Sequence, residues 1–218
     1  MRTREPTLKI PRLVLASASP RRAALLSQIG LTFEVHPSDV AEPPYNMHIA
    51  GVSAEPPKRK HPDTASQVTQ KLALLKASSV AQHFDEAIVI GADTLVSLDG
   101  KLLGKPTDDA DAFEMLTRLS GTCHEVVTGV ALINAETGHE IVWAETTQVY
   151  FRELHHTEIA AYIASGEPSD KAGAYGIQGR GAAFVRRVEG CYFNVVGLPL
   201  ASLVEHILNF PCGSVKWV

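Results

Sequence analysis

Three stretches of the chain carry side chains suited to chemistry. The first is Ser17-Ala18-Ser19-Pro20-Arg21-Arg22. Two hydroxyls and two guanidiniums on one turn, beside the free N–H groups of a starting helix, suit a polyphosphate. The alternative is a solvated helix start whose arginines point to water. The second is Asp93, inside the apolar run from Ala87 to Val96. A lone carboxylate there is costly unless it is paired, hydrogen-bonded or bound to a metal. The plain alternative is an Asp that caps a turn. The third runs from Gly166 to Gly181, with five glycines and Asp170, Lys171 and Gln178 among them. Such a loop lets backbone approach a ligand closely and presents a few polar groups. Tyr175 and Ile177 are poor residues for a mere linker.

The elements that must position these residues follow from periodicity. Leu13 to Ala16 reads as a buried strand, and Pro20 opens a helix that Gly30 stops. Ser19 is expected to cap it through its side chain. Leu31 to Val35 reads as a second strand carrying Glu34. Residues 37–65 hold six prolines and the triplet Lys58-Arg59-Lys60, which predicts a long surface loop or flap. From Ser66 to Phe84 the spacing is helical, with Val68, Leu72, Leu75 and Val80 on one face. Lys71 and Lys76 flank that stripe, and periodicity does not choose between them.

A strand over 87–90 ends near Asp93, with Gly91 permitting close approach. Asp99-Gly100 predicts a hairpin of 94–98 with 101–103. A helix is expected over 108–119 with an acidic first turn. Strands follow at 124–134 and 140–151, and a helix at 155–165. Strands are also expected at 182–188 and 193–196. A last helix opens at Pro199, with Leu200, Leu203, Val204, Ile207 and Leu208 on one side.

Composition bounds the class. The chain has 218 residues, 45% apolar and 20% charged, which is ordinary for one globular domain. A net charge of −4 argues against broad coating of nucleic acid but permits a local basic pocket. Three widely spaced cysteines form neither a disulfide framework nor a zinc site, so a reducing compartment fits. No apolar run reaches the length of a membrane span. The first residues lack the apolar core of a secretory signal. A cytoplasmic protein is expected, with residues 1–11 as an extension, 12–210 as the domain and 211–218 as a tail.

The chain carries, in order, Leu15 to Arg22, Gly91-Ala92-Asp93-Thr94, Gly104-Lys105-Pro106, Ser120-Gly121 with His124, Asp170 to Gly179, and Asn194 to Leu200. Taken in that order, these motifs resemble the Maf family of nucleoside triphosphate pyrophosphatases. Any one is weak, and the ordered set is specific. The resemblance implies an α/β fold of two lobes. It has a long mixed β-sheet flanked by helices, similar to the inosine triphosphate pyrophosphatases, and a nucleotide cleft between the lobes. It implies Asp93 as proton acceptor and favours Lys76 over Lys71. Ser17, Ser19, Arg21, Arg22, Lys76 and Lys105 take polar and basic cleft positions. Arg21, Thr94 and Gln178 match positions linked to base choice, and Asp170 and Lys171 complete the substrate-binding set.

Glu42 matches a metal ligand that joins Asp93 on Mg²⁺ or Mn²⁺, with Glu34 as the alternative because the 43–65 flap is long. The loop's form resembles the subgroup acting on dTTP and UTP. The family is historically tagged with septum formation. The expected partner is a nucleoside triphosphate, with no membrane and no stable nucleic-acid binding, and with room for a homodimer. The rival classes are a non-catalytic nucleotide-binding regulator of division and a nucleic-acid-binding protein. The acidic net charge counts against the latter.

Overall fold

The computed structural model describes residues 12–41 and 64–211. One mixed sheet of seven strands runs through them in the order β2-β1-β3-β5-β6-β7, with β4 paired to β3. Strand β1 (Leu13–Leu15) lies between β2 (Glu34–Val35) and β3 (Ile88–Leu98), parallel to both. Strands β4 (Lys101–Leu103), β5 (Cys123–Asn134), β6 (Glu140–Phe151) and β7 (Val185–Glu189) add antiparallel pairs. The helices are α1 (Pro20–Gln28), α2 (Ala65–Ala81), α3 (Asp109–Leu119), α4 (His156–Ile163), α5 (Tyr192–Val196) and α6 (Leu200–Asn209).

The expected strand over 87–90 does not end near Asp93. It continues as β3 to Leu98, paired with β5 from Ile88↔Asn134 to Ser97↔Glu125. The two-residue alternation of a strand then sorts its side chains. Val89, Gly91, Asp93 and Leu95 face α2. Ile90, Ala92 and Val96 enter the main core on the other face, with Leu25, Leu116 and Leu203.

Helix α2 lies unusually close to the sheet. A Cβ added at Gly91 would run into the Ala73 carbonyl oxygen and come within 2.9 Å of the Ala77 Cβ. One added at Gly129, the cross-strand partner of Asp93, would land on the backbone of Thr69 and Gln70. The two glycines and the small residues Ala73 and Ala77 therefore let helix backbone rest directly on strand backbone. Thr64 and Gln67 close the helix start as a capping box, which satisfies two otherwise orphaned donors.

Several expectations need correction. Leu75 is 44% exposed, and the buried face of α2 is Val68, Thr69, Leu72, Ala73, Lys76, Ala77 and Val80. Residues 193–196 form helix α5, not a strand. The buried Asn194 amide there donates to the Val126 carbonyl and to Thr147 Oγ1, contacts that a paired strand would not leave it. Of 31–35 only Glu34 and Val35 pair, and of 182–188 only Val185 onward is strand. Leu208 is exposed on α6. Ser19 sits at the helix cap but makes no capping bond; instead its N–H donates to Ser17 Oγ.

His124 is buried against Phe151 and Tyr175, and its Nε2 shares a 2.9 Å hydrogen bond with the Tyr175 hydroxyl. Burial pushes its pKa down to about 4. Because the unfolded value is near 6.5, the fold favours the neutral ring. That contribution is complete above pH 6.5 and is lost as pH falls toward 4. The loss is of the order of 3 kcal/mol over the window. Urea unfolding from pH 7 to 4 should show His124→Gln with a flatter fall in stability than wild type; parallel curves would remove His124 as the cause.

Candidate functional site

The loop after β1, the first turn of α1, the middle of β3, Lys76 of α2 and the glycine-rich segment enclose an open cleft of about 760 Å³. This volume lies within the range of small-molecule sites. It opens beyond the carboxyl end of β1, where ligands commonly bind in open α/β sheets. Ser17, Ser19, Arg21, Arg22, Lys76, Asp93, Thr94, Lys105, Asp170, Lys171 and Gln178 all line it. Glu42 lies outside the described residues. Glu34 does not line the cleft: it sits on the exposed edge strand, hydrogen-bonded to Arg12.

The floor is an ion pair. Lys76 Nζ lies 2.6 Å from Asp93 Oδ1, and the two residues are 6% and 3% exposed. The close seat of α2 on Gly91 and Gly129 makes that distance attainable. Lys71, five residues earlier, is exposed. A carboxylate this deep needs a compensating charge, and the Lys76 ammonium supplies it.

The two arginines occupy different environments. Arg22 is buried and donates to the Gly197 carbonyl, Ser17 Oγ and Thr94 Oγ1 at 2.9–3.0 Å. Its positive charge is thus fixed in the back wall. Behind it Thr94 Oγ1 meets Thr128 Oγ1 at 2.9 Å, and Thr128 donates to the Asn194 carbonyl. This polar chain links α1, β3, β5 and α5, and explains why Thr128 and Asn194 are wholly buried. Arg21 instead reaches across the mouth to Asp170 Oδ2 at 2.8 Å, while Lys171 Nζ holds Asp170 Oδ1 at 2.6 Å. Arg21 and Lys171 together hold the Asp170 carboxyl below its usual range, outweighing the burial that opposes them.

The glycine-rich segment is ordered as short 3₁₀ turns over Glu167–Asp170, Ala172–Ala174 and Arg180–Phe184. Gly173 adopts φ +67° and packs on Val96, so a side chain there would be both strained and obstructed. Gln178 stands exposed on the cleft rim. Sequence reasoning did not single out Glu167, Tyr162, Thr128 or Asn194. Asn194 opens a quoted motif, and its amide among apolar neighbours was the available signal; Glu167 lies in the glycine-rich loop with no local signal of its own.

In chemical terms the site offers a buried carboxylate below a mouth of fixed and reachable cations. Such a gradient suits a chain of phosphates whose reacting end reaches the floor. Over residues 12–210 the sequence matches the family described as Maf-like protein. It is 49% identical over 199 residues to the dTTP/UTP pyrophosphatase of Moorella thermoacetica, covering 91% of this chain and 95% of the relative. It is 47% identical over 198 residues to that of Pelotomaculum thermopropionicum (91% and 96%). It is 46% identical over 203 residues to that of Bacillus cytotoxicus (93% and 97%). A family match spanning nearly the whole chain, on a mixed α/β sheet whose cleft gathers the ordered motifs, establishes that this chain belongs to the Maf family.

Proposed function

We propose that the protein hydrolyses dTTP and UTP to the nucleoside monophosphate and pyrophosphate. The observation that carries the reading is the buried Lys76–Asp93 pair beneath the basic mouth of the cleft. The printed names of the relatives support the choice of substrate.

In this reading Arg21, Lys105 and Lys171 draw the β- and γ-phosphates to the mouth. An exposed ion pair contributes little, so a triphosphate competes well with Asp170 for Arg21. Arg22 stays in the wall and stabilises charge that develops on the leaving pyrophosphate; such fixed charges carry much of the rate in phosphoryl transfer. Asp93 orients the attacking water and accepts its proton. The water oxygen bonds the α-phosphorus as the bond to the β-bridging oxygen breaks, and pyrophosphate departs. Lys76 keeps the carboxylate in place.

Toward a divalent cation the described residues offer one carboxylate on the cleft floor, which suits an ion completed by substrate phosphates. Asp93 is the cleft carboxylate on the floor, whereas Glu167 and Asp170 are bound elsewhere. Among the described residues no group of three His, Cys, Asp or Glu side chains is gathered. Mg²⁺ and Mn²⁺ take one or two carboxylates together with substrate phosphates, so Asp93, joined by Glu42, would hold one. The ion would neutralise phosphate charge and acidify the water. No helix among the described residues is long and apolar enough to cross a membrane. A cytoplasmic location belongs to the reading, and the net charge of −4 supports the lack of stable nucleic-acid binding. A homodimer belongs to the reading, and the mass in solution checks it.

The test is a panel of nucleoside triphosphates with Mg²⁺ or Mn²⁺, scored for monophosphate and pyrophosphate. UTP and dTTP should be the best substrates. Release of orthophosphate would overturn cleavage at the α-phosphorus, and nucleotide binding without turnover would support a regulator instead. In the same panel Gln178→Ala should lower the UTP-over-CTP preference in kcat/KM by about tenfold. Its amide can pair with the O4 and N3–H edge of uracil, and one hydrogen bond contributes about 0.5–1.5 kcal/mol, up to roughly tenfold in the ratio. An unchanged ratio would show that Gln178 does not read the base.

A further inference from the structure

We propose that Glu167 is a positioning residue for base choice: it builds the turn that aims Gln178. The inference rests on the nucleotide reading above and extends it to a residue that touches no phosphate there. The Glu167 carboxylate collects three donors. Its Oε2 accepts the Arg180 N–H at 2.9 Å; its Oε1 accepts the Tyr162 hydroxyl at 3.0 Å and the Gly181 N–H at 3.3 Å. The Tyr162 hydroxyl in turn accepts the Gly176 N–H at 3.1 Å. The turn from Gly176 to Gly181, with Gln178 near its middle, is therefore pinned at both ends by one carboxylate and one phenol.

The packing agrees. A Cβ at Gly179 would press into the Glu167 carboxylate, and one at Gly176 would lie 2.6 Å from Lys171 Cε. Lys171 Nζ donates to the Glu167 carbonyl at 2.6 Å as well as to Asp170. The same short segment thus carries the base-facing turn on its side chain and the phosphate-facing Asp170 close by. Gly179 is needed because the turn folds over this carboxylate, and Gly176 because the Lys171 side chain packs beneath it. The base edge is read by one amide whose donor and acceptor ends are interchangeable by rotation. Discrimination then depends on a backbone that does not shift.

Glutamine tests this because it keeps shape and length. All three of its partners are donors, so the amide NH₂ of Glu167→Gln must face one of them, losing a charge-assisted bond and adding a clash of hydrogens. Tyr162→Phe removes the second pin and leaves the carboxylate. Three measurements are made on each folded variant and on wild type with Mg²⁺. They are kcat and KM for UTP, dTTP and CTP, hydrogen exchange of the 174–182 backbone, and thermal unfolding.

The expected result for Glu167→Gln is a three- to tenfold fall in the UTP/CTP ratio of kcat/KM. It comes mainly from a higher KM for UTP, with faster exchange confined to 174–182. Tyr162→Phe should move the same two readouts in the same direction. Faster exchange with an unchanged base ratio would make Glu167 merely structural and overturn the proposal, as would unchanged exchange. Wild type without turnover of any nucleoside triphosphate would overturn the functional reading itself, a result visible before any variant is compared.

Discussion

Asp93→Asn should fold like wild type and lose about 10²–10⁴-fold in kcat for UTP, the usual contribution of a positioned general base. The geometry separates the two effects. Asparagine is nearly isosteric, and its Oδ1 can still accept from Lys76 Nζ, now 2.6 Å from the Asp93 oxygen. The residue is buried in β3 between Gly91 and Leu95 on the α2 side, so no shape change is forced. What disappears is the basic oxygen on the floor of the cleft and the negative charge that favours a divalent cation there. The variant removes the carboxylate's charge from the Lys76 ammonium, so some stability is lost as well. Thermal unfolding measures that loss, and single-turnover assays with enzyme in excess over UTP measure the chemistry. Near-normal turnover in a folded variant would remove Asp93 from the mechanism and favour a binding role for the protein.

Much of this floor was legible in the sequence. An Asp inside an apolar run is costly, so it had to be paired or placed at a turn. The turn alternative fails because β3 passes straight through to Leu98. What periodicity could not show was the partner; only the family resemblance favoured Lys76. Lys71 and Lys76 flank the same helical stripe, and helical spacing treats them alike. The choice is made across the sheet, by which side of α2 can approach Gly91 and Gly129 closely. That rotation buries Lys76 and leaves Leu75 in solvent, against the apolar pattern. Similarly, Phe193-Asn194-Val195-Val196 has strand composition, yet the Asn194 NH₂ donates to Val126 and Thr147 from β5 and β6. Long-range hydrogen bonding overrode local propensity. Glu167 was hidden for a related reason: its three donors lie 5, 13 and 14 residues away. By contrast the Ser17–Arg22 turn and the 166–181 loop were readable, because hydroxyls, guanidiniums and glycines at a strand–helix junction have few other uses. Even there the division of labour between buried Arg22 and reachable Arg21 needed the fold.

Gly129→Ala should cut kcat by about a hundredfold without touching a substrate-facing side chain. The position lies opposite Asp93 on β5 and faces α2. An added methyl has nowhere to go: the atoms it meets are the carbonyl of Thr69 and the amide of Gln70, which are backbone and cannot rotate aside. Either β5 or α2 must move. The long pairing of β5 with both β3 and β6 makes the sheet the stiffer partner, so the helix yields. Lys76 then lifts from Asp93, and the floor of the cleft is misplaced. A displacement near 1 Å at a catalytic group is enough for about 10²-fold in rate. Overpacking of this kind costs typically about 1–3 kcal/mol, or roughly 2–4 °C in Tm per kcal/mol for a chain of this size. The rate loss should therefore exceed what reduced folding explains, since nearly all the variant remains folded at 25 °C. Gly138→Ala is the control: unlike Gly129 it has a left-handed φ (+71°), but nothing lies within 4 Å of an added Cβ. It should cost stability through strain alone and leave kcat near wild type. Equal rate losses in the two variants would show that general destabilisation, and not the seat of α2 on the sheet, governs the Lys76–Asp93 geometry.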